Sequence, residues 1–142
     1  MGRLLSPDEK ASSIFEIDYD ALYAAGKRVL LFDLDNTLGK GRPDRLAPAA
    51  RELLLRLRKD GFRIGVITNR RRPAELPVFR DLSEHALLYH RACKPLKRGF
   101  LSLLEKLDAS VDQAVMIGDR RLTDVFGANR VGIYTILLRE GA

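Results

Sequence analysis

Val29-Leu30-Leu31-Phe32-Asp33-Leu34-Asp35-Asn36-Thr37 is an apolar run that ends in two carboxylates one residue apart. Four consecutive large apolar residues read as a strand covered on both faces, the kind found in parallel sheets. Two carboxylates about 4 Å apart repel by roughly 4 kcal/mol at an effective dielectric of 20, so a D-x-D pair at the mouth of such a strand calls for a cation. Neither His85, His90 nor Cys93 falls at ligand spacing, and hard oxygen donors favour Mg2+ over zinc.

Outward from this strand, apolar runs alternate with amphipathic ones. Further strands are expected at residues 62–68, 86–90, 114–118 and 133–138, with the first at 29–33. Residues 48–60 place Leu53, Leu54 and Leu57 on one helical face and leave Arg51, Arg56, Arg58 and Lys59 wet, and Gly61 stops the helix. Residues 95–107 repeat the pattern with Leu96, Phe100, Leu103 and Leu107 inward, and 122–128 form a shorter helix. Pro73 and Pro77 make the connection after Thr68 a loop with at most a short helix. The expected fold is therefore α/β, a three-layer Rossmann-like arrangement around a parallel five-stranded sheet of order 3-2-1-4-5. One domain over 1–142 is expected, with a helical arm over 1–26 and the core over 27–142. In the arm, Ile14, Phe15, Ile17 and Leu22 are the apolar anchors, and Ser6-Pro7-Asp8-Glu9 reads as a helix start capped by Ser6. That reading outweighs the loose myristoylation pattern of the first six residues.

Ligands of open α/β sheets sit beyond the carboxyl ends of the strands, where strand order reverses. Four polar clusters fall there. Asp33 and Asp35 end strand one, Thr68 and Asn69 end strand two, Lys94 follows strand three, and Gly118-Asp119-Arg120-Arg121-Leu122-Thr123-Asp124 follows strand four. With strands one and four as neighbours, Asp119 faces Asp33. The site then holds carboxylates for a metal, a hydroxyl and an amide for phosphoryl oxygens, and a lysine for remaining charge.

DLDNT, TN, K and GDRRLTD, in this order, resemble the four motifs of the haloacid dehalogenase-like phosphatases. The stretches LLSPDE, IFEIDYDAL, ACKPL and GDRRLTDVFGANRVGIYTI extend the resemblance to subclass IIIA, the YqeG-type subgroup related to phosphatidylglycerophosphate phosphatases. Arg70 stands where that subgroup often has Asn, and Arg120 where Gln is common. The resemblance implies hydrolysis of a phosphomonoester through an aspartyl-phosphate. Asp33 would be the nucleophile and Asp35 the general acid and base, with the Asp35 main-chain carbonyl on Mg2+. Thr68, Asn69 and Lys94 would bind the phosphoryl group, and Lys94 would also balance charge in the transition state. Asp33, Asp35, Asp119 and Asp124 would form the metal set, Asp119 directly and Asp124 through water or by orienting Lys94. Asn36 and Thr37 read equally well as the turn after the strand.

Segments 38–48 and 68–94 are too short for a cap domain, so the site is expected to be open to a phosphorylated small molecule, to a lipid head group, or to a neighbouring subunit of a homo-oligomer acting as lid. The formal charge of +6, from 25 basic and 19 acidic residues, points to an anionic partner or an acidic membrane surface. Arg70, Arg71 and Arg72 with Arg120 and Arg121 are expected to rim the open mouth. Nucleic acid is disfavoured because no aromatics interleave with those arginines. A receiver-type signalling domain does not place two aspartates as D-x-D on one strand. A catalytically weak binding or regulatory module on the same scaffold is the remaining alternative, argued against by the intact Asp33 and Asp35. One cysteine excludes an internal disulfide framework, and no stretch reads as a signal peptide or a membrane span, so a cytoplasmic protein with peripheral membrane contact is expected.

Overall fold

The computed structural model describes residues 2–70 and 77–138. β2 (Val29–Phe32) is the central strand, with every residue buried. It pairs in parallel with β3 (Arg63–Ile67) on one side and β5 (Ala114–Gly118) on the other. β4 (Leu87–Tyr89) lies outside β3, and β6 (Tyr134–Leu138) lies outside β5. These five strands follow the expected order. A sixth completes the sheet as β1-β6-β5-β2-β3-β4.

That sixth strand, β1 (Glu9–Ala11), corrects the expectation of an all-helical arm. Ser6 does not start a helix; Glu9, Lys10 and Ala11 instead pair in parallel with Ile136, Leu137 and Leu138. Asp8 sets the register. Its carboxylate accepts from the Thr135 main-chain N–H at 2.8 Å and from its hydroxyl at 3.2 Å, while the Asp8 N–H donates to Thr135 O at 3.0 Å. Among the described residues of this arm only α1 (Tyr19–Ala24) is an α-helix, capped by the Asp18 carboxylate on the Ala21 N–H. Ile14, Ile17 and Leu22 are buried as expected, together with Tyr19, whereas Phe15 is exposed.

Strand side chains alternate between two apolar layers. Leu30, Phe32, Val66, Val115 and Ile117 join the arm, α2 (Pro48–Lys59) and α3 (Pro77–Ser83) on one face. Leu31, Ile67 and Met116 meet α4 (Lys97–Lys106) and α5 (Phe126–Val131) on the other. Each large apolar side chain so buried contributes about 1.5–3 kcal/mol. Leu53, Leu54 and Leu57 form the buried stripe of α2, and Gly61 ends it at φ +108°. In α4 the inward residues are Phe100, Leu103 and Leu104, with Leu107 buried just beyond. Leu96 is 57% exposed, contrary to expectation, because it stands at the N-cap, outside the helical periodicity. The expected helix over 122–128 divides into a π-helical turn, Arg121–Val125, followed by α5.

Candidate active site

The carboxyl ends of β2, β3 and β5 open onto a cleft of about 440 Å³ lined by Asp33, Asp35, Thr68, Asn69, Lys94 and Thr123, with Arg42, Arg70 and Arg120. Asp33 continues the pairing of β2, its N–H donating to Ile117 O at 3.0 Å. Its carboxylate is thereby fixed at the strand end, next to the loop that carries Asp119.

Lys94 is the centre of charge. Its Nζ donates to Asp33 Oδ1 at 2.8 Å and to Asp124 Oδ1 at 2.7 Å, with only 3% of the side chain exposed. Burial works against the ammonium, but Asp124 and Asp33 more than offset it and hold its pKa above the ordinary value. Burial, with Asp124 nearby, pushes the Asp33 carboxyl up to about 7 against the pull of Lys94. Asp119 is raised for the same two reasons, burial first and Asp124 second.

Local backbone design sets these groups in place. In the π-helical turn both Asp124 N and Val125 N donate to Arg120 O, and Arg120 N donates to Asp124 Oδ2 at 3.2 Å. Such turns are uncommon and concentrate at functional sites. Gly118 is required beside it, since a Cβ there would lie 2.3 Å from Asp124 Oδ2. Asn69 grips the main chain of Lys94: its Oδ1 accepts from Lys94 N at 2.8 Å and its Nδ2 donates to Lys94 O at 3.5 Å. Thr68 is buried, and its Oγ1 accepts from Arg70 N at 3.1 Å. Asn36, at φ 57°, closes the loop after β2 by accepting from Gly41 N at 2.8 Å, as the turn reading anticipates.

The basic rim differs from expectation. Arg70 is buried, with Nε 2.9 Å and Nη2 2.7 Å from Asp35 Oδ1, and its Nη1 donates to Pro43 O at 3.2 Å. A guanidinium beside a D-x-D carboxylate is an ion pair before it is a surface charge. Arg121 turns away and donates to Leu5 O at 3.0 Å, so it braces the N-terminal arm. Arg71 and Arg72 lie outside the described residues. Arg120 does line the cleft, and so does Arg42, which no sequence pattern singled out. Its one signal was a basic residue in the short Gly39–Pro43 stretch directly after the D-x-D-x-T motif.

Asp33, Asp119 and Asp124 each bring a carboxylate oxygen within 4.8 Å of the others. Asp119 Oδ1 is buried with no hydrogen-bond partner among the described residues. An orphaned anionic oxygen inside an all-carboxylate set fits a hard divalent cation such as Mg2+. The Asp35 carboxylate is not part of that set; it is held on Arg70.

A family model for haloacid dehalogenase-like hydrolases matches residues 8–132. The "Probable phosphatase YqeG" of Bacillus subtilis is 29% identical over 93% of this chain and 76% of its own length. A "Glyceraldehyde 3-phosphate phosphatase" of Pyrococcus abyssi is 32% identical over 68% of this chain, which spans only 44% of that longer protein. Among solved structures, a HAD phosphatase from Thermococcus onnurineus superposes with a TM-score of 0.60 at 26% identity, over 68% of this chain and 48% of that one. A "predicted HAD-like family hydrolase" from Porphyromonas gingivalis reaches a TM-score of 0.65 over 83% of this chain and 94% of its own, at 16% identity, a likeness of fold alone. The chain belongs to the haloacid dehalogenase-like hydrolases, and within that family its likeness is to phosphatases of the YqeG type.

Proposed function

We propose that this protein is a Mg2+-dependent phosphomonoester phosphatase that works through an aspartyl-phosphate on Asp33. The observation that carries the reading is Lys94, buried between Asp33 and Asp124 while Asp119 Oδ1 stands unpartnered beside them. Asp33, Asp119 and the Asp35 main-chain carbonyl would hold the metal. When bound, Mg2+ supplies positive charge that offsets the repulsion between the phosphate and the carboxylate that attacks it.

The chemistry of the chain's own groups then follows. An Asp33 oxygen attacks phosphorus, the bond from phosphorus to the leaving oxygen breaks, and Asp35 delivers a proton to that oxygen. Asp35, now ionised, takes a proton from a water that attacks the phosphoryl group, freeing inorganic phosphate and Asp33. Arg70 contacts one Asp35 oxygen, Oδ1, which leaves the other oxygen to carry the proton. Lys94 balances the charge that spreads over the phosphoryl oxygens, and the Thr68 hydroxyl, whose oxygen accepts from Arg70 N, keeps its proton to donate to them. Asn69 acts through its grip on Lys94 and lines the same cleft. Both Asp124 oxygens are engaged, one by Lys94 and one by Arg120 N, which supports a role in orienting Lys94. The substrate is a phosphorylated small molecule or a phosphorylated lipid head group such as phosphatidylglycerophosphate. Among the described residues no helix is long and apolar enough to cross a membrane.

Hydrolysis of p-nitrophenyl phosphate should appear with Mg2+ and vanish with EDTA; full activity in chelator would sink the metal assignment. Asp33→Asn and Asp35→Asn should each remove most turnover while leaving the folded structure, since each deletes a chemical role and neither carboxylate packs the core. Asp35→Asn should accumulate phosphoenzyme, detectable as acid-stable label from radioactive substrate. Wild-type kcat in either variant would overturn the assignment, and inactive wild type that still binds phosphate esters would favour the binding-module reading.

A further inference from the structure

Two cations in the cleft stand in no salt bridge among the described residues, although the Arg120 charge also draws the Asp119 carboxyl down against its burial. Lys94 is shared by Asp33 and Asp124, and Arg70 is spent on Asp35. Arg42 and Arg120 line the same cleft, are exposed, and form no ion pair with any carboxylate among the described residues.

The loop that carries Arg42 is built rather than loose. Gly41 N is held by Asn36 Oδ1 at 2.8 Å, and Asn36 N donates back to Gly41 O at 2.8 Å. Pro43 O is held by Arg70. Gly39 gives Pro43 its place, because a Cβ there would lie 2.8 Å from the proline ring. Further along, Arg45 Nε and Leu46 N both donate to Asp81 Oδ2, at 2.8 and 3.0 Å. The residues on either side of Arg42 are thus pinned, and one of the pins is the same Arg70 that holds Asp35. Arg120 is fixed from its own main chain, whose N–H and carbonyl both bond within the π-helical turn.

We infer that Arg42 and Arg120 form a second anion subsite, so that this protein selects phosphate monoesters that carry another negative group, a carboxylate or a second phosphate, a few bonds from the ester being cleaved. In the proposed reaction the transferred phosphoryl group would be served by Lys94 and by the metal that the carboxylates would hold. Arg42 and Arg120 line the same cleft without an ion pair, so they are left to meet the rest of the substrate, and the planar fork of a guanidinium matches a carboxylate or phosphate. The inference rests on the phosphatase reading and names the substrate class for that same site.

The test compares esters matched in size: ethyl phosphate, phosphoglycolate and ethylene glycol bisphosphate, with the Mg2+-loaded full chain. kcat/KM for at least one of the two esters whose leaving group carries a second anionic group should exceed that for ethyl phosphate by roughly tenfold. Whichever is preferred tells carboxylate from phosphate. In Arg42→Gln/Arg120→Gln that ratio should fall to near unity. Equal efficiency for all three esters in the wild type, or a preference that survives the double substitution, overturns the subsite. Equilibrium binding of the same three esters to Asp33→Asn needs no turnover and keeps two failures apart. Equal affinities there also overturn the subsite, whereas an affinity difference lost on adding the two arginine substitutions upholds it even if the wild type proves unable to hydrolyse any ester.

Discussion

Gly118 shows how much of the chemistry hangs on one missing methyl group. A Cβ at this position would sit 2.3 Å from Asp124 Oδ2 and 2.5 Å from its carboxyl carbon, well inside contact. Neighbouring β-strand pairing leaves Gly118 little freedom, so Asp124 is the group that must shift. Gly118→Ala should then loosen the 2.7 Å bond between Asp124 and Lys94 and move the ammonium off its line to Asp33. Misplacement of this kind costs on the order of a hundredfold in turnover. The overpacking itself costs about 1–3 kcal/mol in stability. Turnover and a urea midpoint measured on the same preparation check both; wild-type kcat would mean that Asp124 does not position Lys94. Arg70 makes the complementary point about charge. Read along the chain it is the first of three arginines, a solvated run, yet in space its guanidinium is buried on Asp35. Only the sheet order, which brings the ends of β2 and β3 together, turns a surface residue into an internal brace.

At the scale of elements, β2, β3 and β5 were readable because strands buried on both faces need near-continuous apolar runs, and the α2 stripe because Leu53, Leu54 and Leu57 repeat at helical spacing. The ends of those strands that line the candidate site were readable for the same reason: D-x-D, Thr-Asn and Gly-Asp each follow such a run directly. β1 was not, since Glu9-Lys10-Ala11 carries no strand propensity, and tertiary pairing with β6 decides its state. The π-helical turn was hidden because a one-residue change in hydrogen-bond offset leaves no mark on apolar spacing. What holds β1 can be tested by Asp8→Ala, which removes the acceptor of the Thr135 N–H and hydroxyl. One lost bond of this type costs about 0.5–1.5 kcal/mol, with a further 1–3 if the Thr135 N–H stays buried and unpaired. Because Asp8 lies outside the cleft, kcat and KM should hold while the denaturation midpoint falls. A change in kcat without a change in midpoint would place β1 in the catalytic machinery instead.

For the whole molecule, the cost of gathering carboxylates in one buried site should appear as a dependence of stability on pH and metal. Asp33 has its carboxyl raised to about 7 by burial and by Asp124, and Asp119 is raised in the same way. A raised acid keeps its proton in the folded protein at pH values where the unfolded chain has released it. Between about pH 4 and pH 7 the folded state therefore binds more protons, and metal-free stability must fall as pH rises, by at most about 1.4 kcal/mol per unit for each such proton. Asp81, lowered to about 2 chiefly by its hydrogen bond from Arg45, acts in the opposite sense but loses its contribution only below the ordinary carboxylate range, outside this window. Mg2+ requires the ionised carboxylates, so its stabilisation should grow over the same interval. Melting curves in EDTA and in Mg2+ from pH 4.5 to 7.5 should diverge, the EDTA midpoint descending and the Mg2+ midpoint staying level or rising. In Asp33→Asn the EDTA curve should lose much of its slope, because the asparagine has no proton to release. A gap between the two curves that stays constant or closes as pH rises would remove the buried carboxylate cluster as the metal site.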